Sequence, residues 1–188
     1  AISRHPKILL GFSDLSLLLD TVSRRCGFVT FHGPGPHQLV RERISEFTLS
    51  SLLRAVGRRA RPRAFAAGYT GETVERLAPG VATGRLAGGN LTVLASAVGT
   101  PSFRDRIFFF EEVAEPPYRI DRCLTQLILS GTLDGVRAVV VGLLRGCVDP
   151  KAGTGGEYRQ SVTDVLRDRL LPLGVPVVAG LPFGHGPD

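Results

Sequence analysis

Short apolar runs alternate along this chain with segments whose apolar residues recur every three or four positions, and that alternation restricts the fold to the α/β class. Lys7-Ile8-Leu9-Leu10-Gly11-Phe12 reads as a buried strand. Leu15, Leu18, Leu19 and Val22 then mark one face of a helix that Gly27 stops, and Phe28-Val29-Thr30-Phe31 reads as a second strand. Strand, helix and strand in this order make a βαβ unit, a piece of a parallel sheet. Between about residues 45 and 80 the pattern loosens into a short helix over Leu49 to Val56, an arginine cluster (Arg58, Arg59, Arg61, Arg63) and a Gly-, Thr- and Pro-bearing stretch, which suits an interdomain linker. It tightens again afterwards. Leu91, Leu94, Ala95 and Val98 trace a helix, and Ile107-Phe108-Phe109-Phe110 is an aromatic strand. Tyr118 to Leu129 follows as a helix, Val136 to Leu144 as a strand, Val162 to Leu171 as a helix and Val175 to Ala179 as a last strand.

Composition excludes several classes of function. The formal net charge is +6, but the basic residues are scattered arginines with only Lys7 and Lys151 as lysines, so no nucleic-acid footprint emerges. Cys26, Cys123 and Cys147 are widely spaced, support neither a disulfide framework nor a metal site, and read as small buried hydrophobes in a reducing compartment. No apolar run has the length of a membrane span, so no membrane partner is expected. Gly84-x-x-x-Gly88-Gly89 lacks dinucleotide spacing, and Lys151-Ala152-Gly153-Thr154-Gly155-Gly156 has the wrong order for a phosphate loop. The chain opens on Ala1-Ile2-Ser3-Arg4 and closes in Gly184-His185-Gly186-Pro187-Asp188, ends that read as interior positions of a longer protein.

Chemistry is concentrated at strand ends. Glu111 follows the triple-phenylalanine strand at its carboxyl end, where α/β proteins place reactive groups. It suits two jobs: capping backbone N–H groups, or accepting Nδ1–H from a histidine and orienting it. Glu112 points to the opposite face of a continuing strand. His185 lies just beyond the last strand between two glycines, on the side of a parallel sheet where Glu111 also emerges. His32, in the turn His32-Gly33-Pro34, suits either a loop brace or a substrate contact, while His5 and His37 fall in surface segments. Ser13, in Gly11-Phe12-Ser13-Asp14, reads as a helix cap more readily than as a nucleophile, since no G-x-S-x-G elbow surrounds it.

Five motifs occur in order: Pro6-Lys7-Ile8-Leu9-Leu10-Gly11-Phe12-Ser13-Asp14; Phe31-His32-Gly33-Pro34; Leu86-x-Gly88-Gly89-Asn90-Leu91; Phe110-Glu111-Glu112-Val113-x-Glu115-x-Pro117-Tyr118-Arg119-Ile120-Asp121-Arg122; and Gly184-His185. In this order they resemble the LD-carboxypeptidases, a family that includes muramoyltetrapeptide carboxypeptidases and microcin-immunity peptidases, and the resemblance spans nearly the whole chain. It implies a cytoplasmic serine peptidase with a Ser–Glu–His arrangement, needing no metal or other cofactor, commonly homodimeric, that removes the terminal D-alanine of murein tetrapeptides during peptidoglycan recycling. The implied fold is a remnant of a flavodoxin-like N-terminal domain followed by a swivelling-type α/β C-terminal domain. Residues 1–44 would be the end of the first domain, 45–80 the linker, and 81–188 the second domain, truncated at its end.

Carried over residue by residue, the resemblance puts the family's glutamate on Glu111 and its histidine on His185, with His32, Gly33 and Asn90 as expected substrate contacts. Glu112 stands where the family usually has Asp. The resemblance also places the nucleophilic serine in a Gly-Gly-Tyr-Gly-like turn upstream of residue 1, which implies that the chain by itself is inactive. Two other readings remain: a microcin-immunity type peptidase acting on peptide-nucleotides, and a catalytically inactive remnant that binds peptidoglycan peptides.

Overall fold

The computed structural model describes residues 2–40, 44–57, 74–99, 101–149 and 160–186. The arginine cluster at 58–63, the stretch 151–156 and the side chain of His37 lie outside them. The first unit opens with β1 (Leu10–Gly11), followed by α1 (Ser16–Cys26), β2 (Phe31–His32), α2 (Pro36–Val40) and α3 (Glu46–Val56). β1 and β2 pair in parallel, with Leu10 beside Phe31 and Gly11 beside His32. Both strands are shorter than their apolar runs predict, and among the described residues they form a two-stranded sheet. Gly27 ends α1 in the left-handed conformation at φ 75°, and Ser45 caps α3 by accepting from Thr48 N–H.

A five-stranded sheet forms the larger unit. Its members are β3 (Glu75–Ala78), β4 (Arg85–Asn90), β5 (Arg106–Val113), β6 (Ala138–Arg145) and β7 (Val177–Ala179), in the spatial order β3-β7-β6-β5-β4. β4 to β7 run parallel and present their carboxyl ends on one edge, while β3 joins antiparallel to β7. β3 lies within the stretch 45–80 that the sequence offers as linker. As an edge strand it buries little, so it lacks the dense apolar pattern that marks the central strands.

α4 (Leu91–Ala95), α5 (Pro117–Leu129) and α6 (Val162–Leu170) cover one face of this sheet. Phe108, Phe110, Val139, Val141 and Val177 point into that layer, where they meet Leu94, Ile120, Leu124, Leu127 and Leu170. Alternation along β5 therefore sends Phe109 and Glu111 to the other face, beside the first unit.

The two units are joined at β4. A side chain at Gly89, whose φ is 151°, would place its Cβ 2.4 Å from the Ser16 Cβ, so only glycine admits the start of α1 here. Ser16 Oγ accepts from Asn90 N–H at 2.8 Å and donates to the Ser13 carbonyl at 2.6 Å. This buried relay fixes the turn after β1 against the carboxyl edge of the large sheet. No helix among the described residues is long and apolar enough to cross a membrane.

Candidate active site

Glu111 and His185 meet at the carboxyl edge of β5. The register slips between Phe110 and Glu112, so that Glu111 sits at an irregularity opposite Gly142 and Leu143 of β6. Freed from the regular ladder, Leu143 N–H donates to the Phe183 carbonyl at 2.9 Å, and Leu181 N–H donates to the Val141 carbonyl at 3.2 Å. These bonds stitch the segment after β7 onto β6. Gly184, at φ 109°, then lies so close that a Cβ there would be 2.6 Å from the Glu111 Cβ. His185 follows at once, its backbone N–H donating to Glu111 Oε2 at 3.2 Å and its ring Nδ1 lying 2.7 Å from the same oxygen.

Because a carboxylate oxygen accepts, this contact assigns the proton to Nδ1 and leaves Nε2 with the lone pair. Glu111 is fully buried, whereas the imidazole is partly open. The hydrogen bond to Glu111 pushes the His185 imidazole above its ordinary value. Burial opposes the shift, and the fields of Glu111, Glu112 and Asp14 reinforce it. The pair thus has the form of a histidine base oriented by a buried acid.

Glu112 does different work on the other face. Its carboxylate accepts from Asn90 Nδ2 at 2.8 Å, Thr92 N–H at 2.9 Å, Thr92 Oγ1 at 2.7 Å and Val113 N–H at 2.9 Å. Asn90 also caps α4 by accepting from Val93 N–H. Its side chain is therefore buried and engaged by the protein itself, holding the β4–α4 corner to the end of β5.

The turn after β1 supplies the rest of the site. Ser13 adopts φ 54°, a left-handed conformation that a serine adopts only under constraint, between a parallel strand and a helix. It caps nothing: the residues preceding the short 3-10 turn Ser13–Leu15 and α1 are Phe12 and Leu15, and neither helix start has a side-chain cap bond. The cap reading of Ser13 is thereby corrected. Phe12 lies between two imidazoles, with ring centroids 4.6 Å from His185 and 5.1 Å from His32. His32, paired beside Gly11, reaches in from β2 to put Nε2 4.0 Å from Glu111 Oε1, and its side chain is only 7% exposed. Burial holds His32 below its ordinary value. The attraction of Glu111 opposes that effect and the nearby His185 adds to it. Gly33 N–H donates to the Gly11 carbonyl, closing the β1–β2 end.

Comparison with known proteins shows the family. Residues 83–188 match the model of the LD-carboxypeptidase C-terminal domain, and residues 1–33 match that of the LD-carboxypeptidase N-terminal domain. The chain belongs to the LD-carboxypeptidase family. A probable murein peptide carboxypeptidase of Bacillus subtilis is 35% identical over 190 residues, covering 98% of this chain and 56% of that protein. The murein tetrapeptide carboxypeptidase of Pseudomonas aeruginosa is 30% identical over 196 residues, covering 96% and 58%. The chain thus spans a little over half the length of the curated relatives it matches.

Among solved structures, the muramoyltetrapeptide carboxypeptidase of Oxalobacter formigenes superposes with a TM-score of 0.73 at 31% identity, over 98% of this chain and 61% of that one. An MccF-like protein of Bacillus anthracis gives 0.76 at 23% identity over the same shares, a likeness of fold. Of the residues singled out in this LD-carboxypeptidase sequence, Glu111, His185 and His32 come together and Gly33 lies next to them. Asn90 pairs beside Glu111 in the β4–β5 ladder, while its side chain is engaged by Glu112 and by the cap on α4. Ser13 is the position whose conformation the sequence did not reveal. The available signal was a serine in the turn between a strand and a helix, with glycine two residues before it, but its letters do not reveal a left-handed φ.

Proposed function

We propose that this chain carries the machinery of a serine-type LD-carboxypeptidase that removes the terminal D-alanine from murein tetrapeptides, with Ser13 as nucleophile, His185 as general base and Glu111 as the acid that orients it. The observation that carries the reading is a strained serine, at φ 54°, whose neighbour Phe12 packs on the imidazole that Glu111 holds at 2.7 Å. Ser13 Oγ attacks the carbonyl carbon of the bond to D-alanine as His185 Nε2 takes its proton. His185 then returns that proton to the leaving amine, and water, activated by the same nitrogen, releases the acyl group. The N–H of Asp14, next after the nucleophile in such an elbow, suits an oxyanion donor. Residues 1–44 would then supply the nucleophile and the five-stranded sheet the acid and base.

This reading replaces the expectation of a nucleophile upstream of residue 1, and with it the expectation that the chain is inactive. The substrate class follows the relatives of 35% and 30% identity, both murein peptide carboxypeptidases by name. We place the reaction in the cytoplasm, in keeping with three free cysteines.

The test combines D-alanine release from murein tetrapeptide with fluorophosphonate labelling and peptide mapping. Expected are turnover and a single adduct on the peptide bearing Ser13, both lost in Ser13→Ala. An adduct elsewhere, or labelling that survives both Ser13→Ala and His185→Ala, refutes the assignment. Cleavage of an aminoacyl-nucleotide in place of the tetrapeptide shifts the substrate to the microcin-immunity class, and tetrapeptide binding without turnover favours a binding remnant.

A further inference from the structure

Three of the buried side-chain polar atoms without a hydrogen-bond partner among the described residues lie at one place: His32 Nδ1, His32 Nε2 and Glu111 Oε1. The two oxygens of Glu111 are used unequally. Oε2 takes both donors from His185, while Oε1 faces His32 Nε2 across 4.0 Å. Leaving a buried carboxylate oxygen without a donor is costly, and closing this gap by about 1 Å would give an ordinary N–H···O bond. His32 is held for that approach from three sides. β2 registers it beside Gly11, Phe12 covers its ring, and Phe109 meets it edge-on at 5.7 Å. A phenylalanine would fill this aromatic pocket without bringing polar atoms into it, so packing alone gives no reason for an imidazole.

We propose that His32 is a positioning residue for the acid–base pair: as a neutral imidazole it donates Nε2–H to Glu111 Oε1 and so limits how strongly Glu111 draws on the Nδ1–H of His185. The inference rests on the reading of Glu111 and His185 as that pair. A carboxylate that accepts an additional hydrogen bond is a weaker base, so its grip on the His185 proton is moderated. A general base works best with a pKa near the working pH, and an imidazole raised too far would be protonated before it could act. Burial between Phe12 and Phe109 disfavours a charge on His32 and outweighs the attraction of Glu111. When His185 takes up the serine proton, the new cation opposes a second one nearby, and His32 stays a neutral donor. The charged and titratable groups bearing on the two rings are Glu111 and Glu112 from β5, Asp14 from the turn after β1, and each imidazole on the other.

Nitrogen-15 NMR of the histidine rings tests this on the 188-residue chain, with His185→Gln used for assignment. In the unsubstituted protein His32 should show the Nε2–H tautomer and titrate below the ordinary imidazole value. A deprotonated Nε2, or an ordinary titration of His32, overturns the proposal without any variant. His32→Phe should raise the pKa of His185 by about half a unit or more. His32→Gln, whose side-chain amide can still donate, should shift it less. An unchanged His185 pKa in a folded His32→Phe protein, or an equal rise in both variants, also overturns it. These readings are independent of the labelling of Ser13, so a failed nucleophile assignment and a failed role for His32 give different results.

Discussion

Replacing Glu111 by Gln keeps the size of the side chain at the centre of the site and removes its charge. Glu111 Oε2 lies 2.7 Å from His185 Nδ1, and Glu111 is fully buried, so little solvent screens the contact. A hydrogen bond to a charged group contributes about 1.5–3 kcal/mol against about 1 kcal/mol for a neutral pair. The difference, about 1 kcal/mol or somewhat more, is lost from the bond that holds the His185 imidazole above its ordinary value. Burial, which opposes protonation, remains in the variant, so the His185 pKa should fall to the ordinary imidazole value or below it.

The sign of the stability effect follows by linkage. In the unsubstituted protein the raised pKa of His185 contributes stability that is fully present below the unfolded imidazole value, near 6.5, and is lost as pH rises through the folded value. In Glu111→Gln that loss should disappear, and His32, deprived of an attractive carboxylate, shifts the slope in the same direction. Urea midpoints at about pH 5.5 and 8.5, with NMR titration of the His185 ring, measure both effects. Tetrapeptide turnover should fall by roughly 10³-fold or more, because a neutral amide no longer dictates the tautomer. A His185 that titrates in Glu111→Gln where it does in the parent, with the same pH slope of stability, would refute the reasoning.

Other positions give independent checks. Asn90→Ala removes both the cap on α4 and one donor to the buried Glu112 carboxylate, and should lower the unfolding free energy by about 3 kcal/mol in urea titration. Gly89→Ala would drive a Cβ to 2.4 Å from the Ser16 Cβ at a φ of 151°, so a loss of about 2 kcal/mol or more is expected, with weaker Ser13 labelling because Ser16 anchors that turn. Burial pushes the Cys147 thiol up to about 11, so at pH 8 only about a thousandth of it is thiolate, and it should react with Ellman's reagent far more slowly in the native protein than after unfolding.

How legible each part was depended on whether its cause is local. The triple phenylalanine of β5 announced a buried strand because aromatic residues on both faces suit only a covered sheet, and Glu111 was legible as the first acid beyond that run. His185 was legible for a similar reason, since parallel strands deliver their following loops to one edge. β3 was hidden because an edge strand needs no dense apolar pattern, and the hold of Glu112 on Asn90 left no local sign because it is a pairing across 22 residues. Ser13 failed differently. Followed by Asp14 and a helix, it has the letters of a cap, and what distinguishes it is a backbone angle imposed from outside its own segment. Its carbonyl is tied to Ser16 Oγ, and Ser16 Oγ to Asn90 N–H, 74 residues away. That approach is open only because Gly89 lacks a side chain. The Gly88-Gly89-Asn90 motif therefore bears on the proposed chemistry by clearing the space in which the serine turn meets the edge that carries Glu111. On this view the strain at Ser13 is sustained by the large sheet, and loosening the β4–α1 contact should relax the serine before it disturbs the Glu111–His185 pair, whose bonds come from β5 and the segment after β7.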